Sequence, residues 1–444
     1  MPTKKKISEL TSGTIAAEDL IEFVDDPSGT PASKKGTIQG ILDLVAGSPS
    51  IYDATAGATG ADYTTVNAAV TAGKRTILVI DDTTEDADIA VPATGLEIYI
   101  KPDVTLDLAA YQITFAQAAN LLIKGLGDGS TLKYTHTSSA KAIDTSSYTT
   151  SVVKVEDLDI DNNSTVTTNY LCINTCVQKL KNLVFYMPNV GSNGFYFNNR
   201  ESVAENITLI GGGSSCYLGM YLYKGFVDGL FITGSYDNNS LITSTGTVDD
   251  ITLRNVQVDD ITNPGNSSLY IAGNVSGINI GDTDDAISIV ISSNGTVLSN
   301  VQSTATNNTS NIDVNEKQNC IISDCNIAGS LVADGANTVV NNVKCGASLL
   351  LDGATMVISN VFNTGATTRI NGSYCLVSNL RSNGGAVTIN GDYNRLIGAV
   401  IGTGGTAYNL VISSGADNNR AVEILADAAN SDSGAGNTVE EVVF

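Results

Sequence analysis

The chain has 444 residues, with 43 Gly, no Trp, and 23 Lys plus Arg against 46 Asp plus Glu, a formal net charge of −23 at pH 7. That charge opposes the counterion release by which basic proteins bind nucleic acid or anionic membranes, so neither is an expected partner. No apolar run approaches the roughly 20 residues that span a bilayer, and MPTKKKISEL lacks the apolar core of a signal peptide, so a soluble chain that folds in a cytosol is expected.

In chain order, the first segment holds KISELTSGTIAAEDLIEFVDD and then SKKGTIQGILDLV, short apolar runs around a turn, and forms a small N-terminal module over residues 1–46. Residues 47–117 read as a capping segment. Within it YTTVNAAV, Tyr63 to Val70, is an amphipathic helix with Thr64 or Thr65 at its N-cap, followed by the strand runs TILVID and EIYIKPDVTLDL. From about Leu121 the chain repeats one grammar of short β-branched runs and turns: LLIKGLG, VVKVEDLDID, LKNLVFY, ENITLIGGG, DGLFITGS, DDITLRNVQV. Loops in this stretch, Tyr186 to Phe197 and Ser214 to Tyr223, carry many of the aromatics. Two placements stay open for these rings, outward on a lateral face or inward as plugs of the coil.

The repeat becomes regular after Gly295. VLSNVQS, IISDCNI, VVNNVKC, VISNVFN and LVSNLRS align Asn300, Asp324, Asn342, Asn360 and Asn379 at steps of 24, 18, 18 and 19 residues. A second column, Gly335, Gly353, Gly372 and Gly391, lies between them at 18, 19 and 19. Two columns in phase define stacked coils. Asx followed by Gly predicts turns with Gly at φ > 0, and the Asn column predicts a side-chain ladder where one sheet bends into the next. Cys320, Thr338, Met356 and Cys375 are expected to form one stack. The fold class is therefore all-β, a right-handed parallel β-helix over 118–425 with a C-terminal cap at 426–444. A left-handed helix of hexapeptides also suits 18 residues per coil, but the steps are too irregular for it.

These features resemble bacteriophage tail spikes and tail fibres with a pectate-lyase-like β-helix. The DYTTVNAAV helix is similar to the one that covers the open first coil of such spikes. Ile7, Leu10, Leu20, Ile21, Phe23, Lys34, Lys35, Ile38, Ile41 and Leu42 match the KISEL-type opening, the D-L-I-x-F-V-D strand and the K-K-x-T-I run of head-proximal fibre modules. The resemblance implies a virion structural protein, assembled in the host bacterial cytoplasm, docked to other virion proteins through its N-terminus, homotrimeric, and facing host-surface polysaccharide. It implies no cofactor. The tail differs from the large spikes, since ADAANSDSGAGNTVEEVVF leaves little room for a distal domain, so an adaptor or capsid decoration protein stays open beside the fibre. SGAGNTV reads as a closing turn, and VEEVVF as a last strand or a subunit contact.

An alternative function is a polysaccharide depolymerase, hydrolase or lyase, on the same coils. Its sharpest candidates are Asp284 and Asp285 in GDTDDAISI, similar to the DDAI motif of polygalacturonase-like hydrolases, in which two carboxyls flank the glycosidic bond. The partner segments of that family, NTDG and GHG, are missing, and the single histidine, His136, lies far upstream, so no catalytic residue is favoured. The seven Cys lack zinc-site spacing and are expected as buried thiols, with no metal site. Sequons at Asn206 and Asn294 are expected to stay unglycosylated.

Overall fold

A computed structural model of the chain describes residues 20–24, 33–37, 51–136, 141–145, 148–165, 170–172, 176–188, 193–216, 218–236, 240–244, 250–262, 268–281, 287–303, 311–402 and 408–441. The chain divides into two compact units, Met1–Asp53 and Ala54–Phe444. In the first, Leu20–Val24 pairs antiparallel with Ser33–Thr37, which sets Phe23 opposite Lys34 and Glu22 opposite Lys35.

The second unit is a parallel β-helix. Parallel pairing begins where Ala54–Ala56 joins Thr76–Val79, inside the segment read as a cap, and runs coil after coil to Thr438–Glu441, inside the segment read as the C-terminal cap. The expected last strand is present as Thr438–Glu441, paired with Arg420–Ala426, while residues 442–444 lie outside the described residues. The helix expected at Tyr63 to Val70 is Val66–Thr71, with Thr65 as its N-cap, accepting from the Ala68 amide at 3.1 Å. It buries Val66, Ala69 and Val70 against the first strands.

Each regular coil has a bent strand and a short one. Ile321–Ile327, Val339–Cys345, Val357–Asn363 and Leu376–Ser382 stack in register, as do Leu331–Ala333, Ser348–Leu351, Thr367–Ile370 and Val387–Ile389. Side chains alternate inward and outward along each strand. Ile322, Val340, Ile358 and Val377 form one fully buried file. The Cys320, Thr338, Met356, Cys375 file is likewise inside, continued by buried Asn394 and Asn419. There each Asn caps its neighbour's backbone: Asn394 Oδ1 accepts from the Cys375 amide at 2.8 Å and Asn419 Oδ1 from the Asn394 amide at 2.7 Å. A second internal network joins Asn363 to Thr368 at 2.9 Å and Thr368 to Ser382 at 3.1 Å, so these buried polar groups keep partners inside an apolar tube.

The bend in each long strand falls on the Asn column. Asn300, Asp324, Asn342, Asn360 and Asn379 have φ of 52° to 56°, and the same corner extends back through Asn255, Asn206, Asn182 and Asp157. Asn and Asp tolerate this left-handed region better than other residues with a side chain. Their amides run along the stack: Asn182 donates to Asp157 at 2.7 Å, Asn206 to Asn182 at 3.1 Å, Asn342 to Asp324 at 2.7 Å and Asn379 to Asn360 at 3.0 Å. At Asn360 the ladder steps aside to Asn341.

The glycine column needs a different explanation from the one its sequence suggests. Gly335, Gly353, Gly372 and Gly391 are not at positive φ. Instead, at Asp352-Gly353, Asn371-Gly372 and Asn390-Gly391 both amides converge on one carbonyl of the coil before, as Asn371 and Gly372 do on Leu351 at 2.9 and 3.0 Å. That draws the turn so close that a Cβ on Gly372 would overlap the carbonyl oxygen of Gly353, and one on Gly353 that of Gly335. Close backbone approach, not backbone handedness, selects glycine here.

Candidate functional site

The residues singled out by sequence fall in separate places. Leu20, Ile21, Phe23, Lys34 and Lys35 lie on the N-terminal hairpin, while Ile7, Leu10, Ile38, Ile41 and Leu42 are outside the described residues. Asp284 and Asp285 are also outside them. His136 is buried beside Tyr134, and burial lowers its pKa, which keeps the ring neutral at neutral pH. Cys172, Cys176, Cys320, Cys325, Cys345 and Cys375 are buried free thiols, and among the described residues no His, Cys, Asp and Glu cluster could hold a metal. Asn206 spends its amide in the ladder.

The aromatics sort by strand alternation. Phe195 and Phe197 point inward, fully buried, with Phe195 packed on Phe185 and Phe197 at 5.9 and 5.0 Å. Tyr196, between them, points outward. Tyr221 follows it in register between buried Met220 and Leu222, and the row continues through Thr243 to Tyr270. Both placements left open by the sequence therefore occur, Phe as plug and Tyr as surface. FYF, YLY and LYI carry this signal in their alternation, because neighbouring positions on a strand face opposite ways.

The outer row is an ordered aromatic face. Tyr196 stacks on Tyr221 at 4.9 Å and 20°, and Tyr170 meets Tyr196 edge-on at 5.7 Å. Partial burial, with Tyr221 and Tyr223 alongside, raises the pKa of the Tyr196 phenol, so its hydroxyl stays a donor. Lys224 lies 5.8 Å from the Tyr223 ring and reaches the buried Asp250 carboxylate at 3.7 Å, which Arg200 also pairs. Flat rings carrying polar hydroxyls, held by a rigid stack, make a surface that is apolar on its faces and wet at its tips.

A cleft of about 560 Å³ opens on the neighbouring sheet, lined among others by Lys124, Asp128, Asp157, Asp159 and Asn182. Burial, with Asp128 close by, pushes the Asp159 carboxyl up. The hydrogen bond from Asn182, helped by Lys124, holds Asp157 down against the opposing effect of burial. Two carboxyls in one cleft are thus driven apart in proton affinity. A second cleft of about 520 Å³, nearer the first coils, gathers Arg75, Lys154 and Lys179 around Glu97.

No family model matches the chain, and no curated protein matches it. Among solved structures it is similar to a mutant tailspike protein of E. coli bacteriophage HK620 in complex with a pentasaccharide, at 10% identity and a TM-score of 0.36, over 90% of this chain and 83% of that one. It is also similar to tailspike protein 3 of bacteriophage CBA120, at 11% identity and a TM-score of 0.23, over 97% of this chain and 65% of that one. The parallel β-helix itself is established by the strand register of this chain, coil on coil from Ala54 to Glu441.

Proposed function

We propose that the chain is a structural protein of a phage particle, of the tail-spike or tail-fibre type, held by its N-terminal module and presenting the lateral face of its β-helix to host-surface polysaccharide. The observation that carries this reading is the outward row Tyr196, Tyr221, Tyr270 on a rigid stack whose inward neighbours are sealed. Aromatic faces match the apolar faces of pyranose rings, and Tyr and Thr hydroxyls match their hydroxyl rims. Replacing Tyr196 and Tyr221 together with Ala is expected to weaken retention on a bacterial polysaccharide array by about tenfold or more, the loss of about 1.4 kcal/mol. Full retention by the double variant would remove the row from the recognition surface.

A homotrimer fits the same reading. The outward file Ile321, Val339, Val357 is apolar over three coils, with Ile321 and Val357 40% and 44% exposed. An apolar file parallel to the solenoid axis suits packing about a threefold axis. A chain lacking residues 1–46 is expected to stay folded and to weigh three chains in solution, yet to be absent from assembled particles. Its incorporation at the full-length level would count against docking through the N-terminus.

A depolymerase is the second reading, favoured by a cleft that Asp157 and Asp159 line together, with Asp157 held down and Asp159 pushed up in proton affinity as an acid and base pair would be. Loss of reducing-end release in Asp159→Asn, with melting unchanged, would establish it. On the structural reading the unmodified protein releases no reducing ends.

A further inference from the structure

We infer that Tyr374 and Tyr393 form a second saccharide-stacking platform, toward the C-terminal coils and away from the Tyr196 row. This rests on the glycan-facing reading above. The two rings are the most exposed aromatics among the described residues, at 60% and 51%, and they stack at 5.0 Å and 3°. Consecutive coils lie about 4.8 Å apart, so the rings follow the axis of the stack.

Their backbone makes them unusual. Both lie in the left-handed region, at φ of 62° and 57°, in a column that also holds Gly295, Asn319, Asn337, Thr355, Asn418 and Gly436. Asn and Gly adopt that conformation at small cost; a bulky aromatic does so under strain, and strain of this kind collects at functional positions. Burial does not repay it, since both rings stand mostly in water.

The surroundings complete a patch. In the strands that follow, Leu376 and Arg395 face outward on the same two coils and are paired in register. Leu376 is 38% exposed, and Arg395 makes no ion pair with a described residue. The ring neighbours on either side, Thr355 and Asn418, have shorter side chains, so the outer part of each ring overhangs and leaves one face open along the axis. An apolar shelf with a fork of guanidinium donors beside it fits a pyranose, whose C–H face lies on the ring while its hydroxyl or carboxylate groups meet Arg395.

The test uses the full chain on an array of purified bacterial polysaccharides, with Tyr374→Ala, Tyr393→Ala and Arg395→Gln beside the Tyr196, Tyr221 double variant. Each platform variant is expected to weaken retention about tenfold while Tyr374→Asn melts no lower than the parent, because Asn suits the backbone that Tyr strains. Retention lost only in the Tyr196, Tyr221 variant would overturn the platform and leave the proposed function standing. No retention of the parent protein on any array member would overturn both. A platform variant that melts several degrees lower in both its Ala and Asn forms, or that changes oligomer mass and not retention, would make the rings structural or subunit contacts and overturn the inference.

Discussion

Gly372→Ala is expected to destabilise the β-helix by about 3 kcal/mol, and Gly372→Val by more, because any Cβ at this turn overlaps the carbonyl oxygen of Gly353 in the coil before. The obstacle is backbone, held by the paired amides of Asn371 and Gly372 on Leu351, so it yields only if the coil spacing opens. Gly372→Asn separates the two explanations for this column. Were glycine required for a left-handed backbone, Asn would be tolerated; since crowding is the cause, Asn should cost as much as Ala. Gly60 gives the control, with φ of 67° and open space within 4 Å of where a Cβ would stand, so Gly60→Asn should stay within about 1 kcal/mol of the parent in urea melts. Equal melting of Gly372→Asn and the parent would falsify the crowding account.

Loss of the Glu85 carboxylate should loosen the first coils by about 3 kcal/mol. Its two oxygens accept from the Val66 and Asn67 amides at 2.9 Å each, which satisfies the first turn of the covering helix inside a nearly closed site, Glu85 being 2% exposed. Glu85→Ala strands both donors, and the uncovered end should show as faster amide exchange over residues 54–79 before global melting. Burial raises the Glu85 pKa above its ordinary value, more than the two amides lower it. The folded state therefore binds the proton more tightly than the unfolded chain. Its contribution is full below the ordinary Glu pKa and is lost as pH rises through the raised folded value. Against Glu85→Gln, which mimics the protonated form, the parent should lose relative stability as pH climbs above about 4. All other carboxylates are common to the two proteins and cancel in that comparison. A difference that moved the opposite way would show that the amides, not burial, dominate at this site.

The sequence by itself determined the architecture and its period. Two in-phase columns, with β-branched runs between Asx and Gly, admit a stack of coils and little else, and the corner role of Asn300 to Asn379 follows because few residues with a side chain enter the left-handed region cheaply. The covering helix was legible to within a few residues, since its N-cap and apolar spacing are local features. Contact between coils decided the rest. Crowding and positive φ both select glycine, so the letters at 335, 353, 372 and 391 could not tell them apart; only the neighbouring carbonyl does. The ends of the ladder, at Ala54 and Glu441, depend on which strand finds an edge to pair with, and pairing is non-local. Phe195 inside and Tyr196 outside were written in the alternation of FYF, but which phase faced the core was set by the register with Met220 and Leu222, because a slip of one residue exchanges every inward side chain for an outward one.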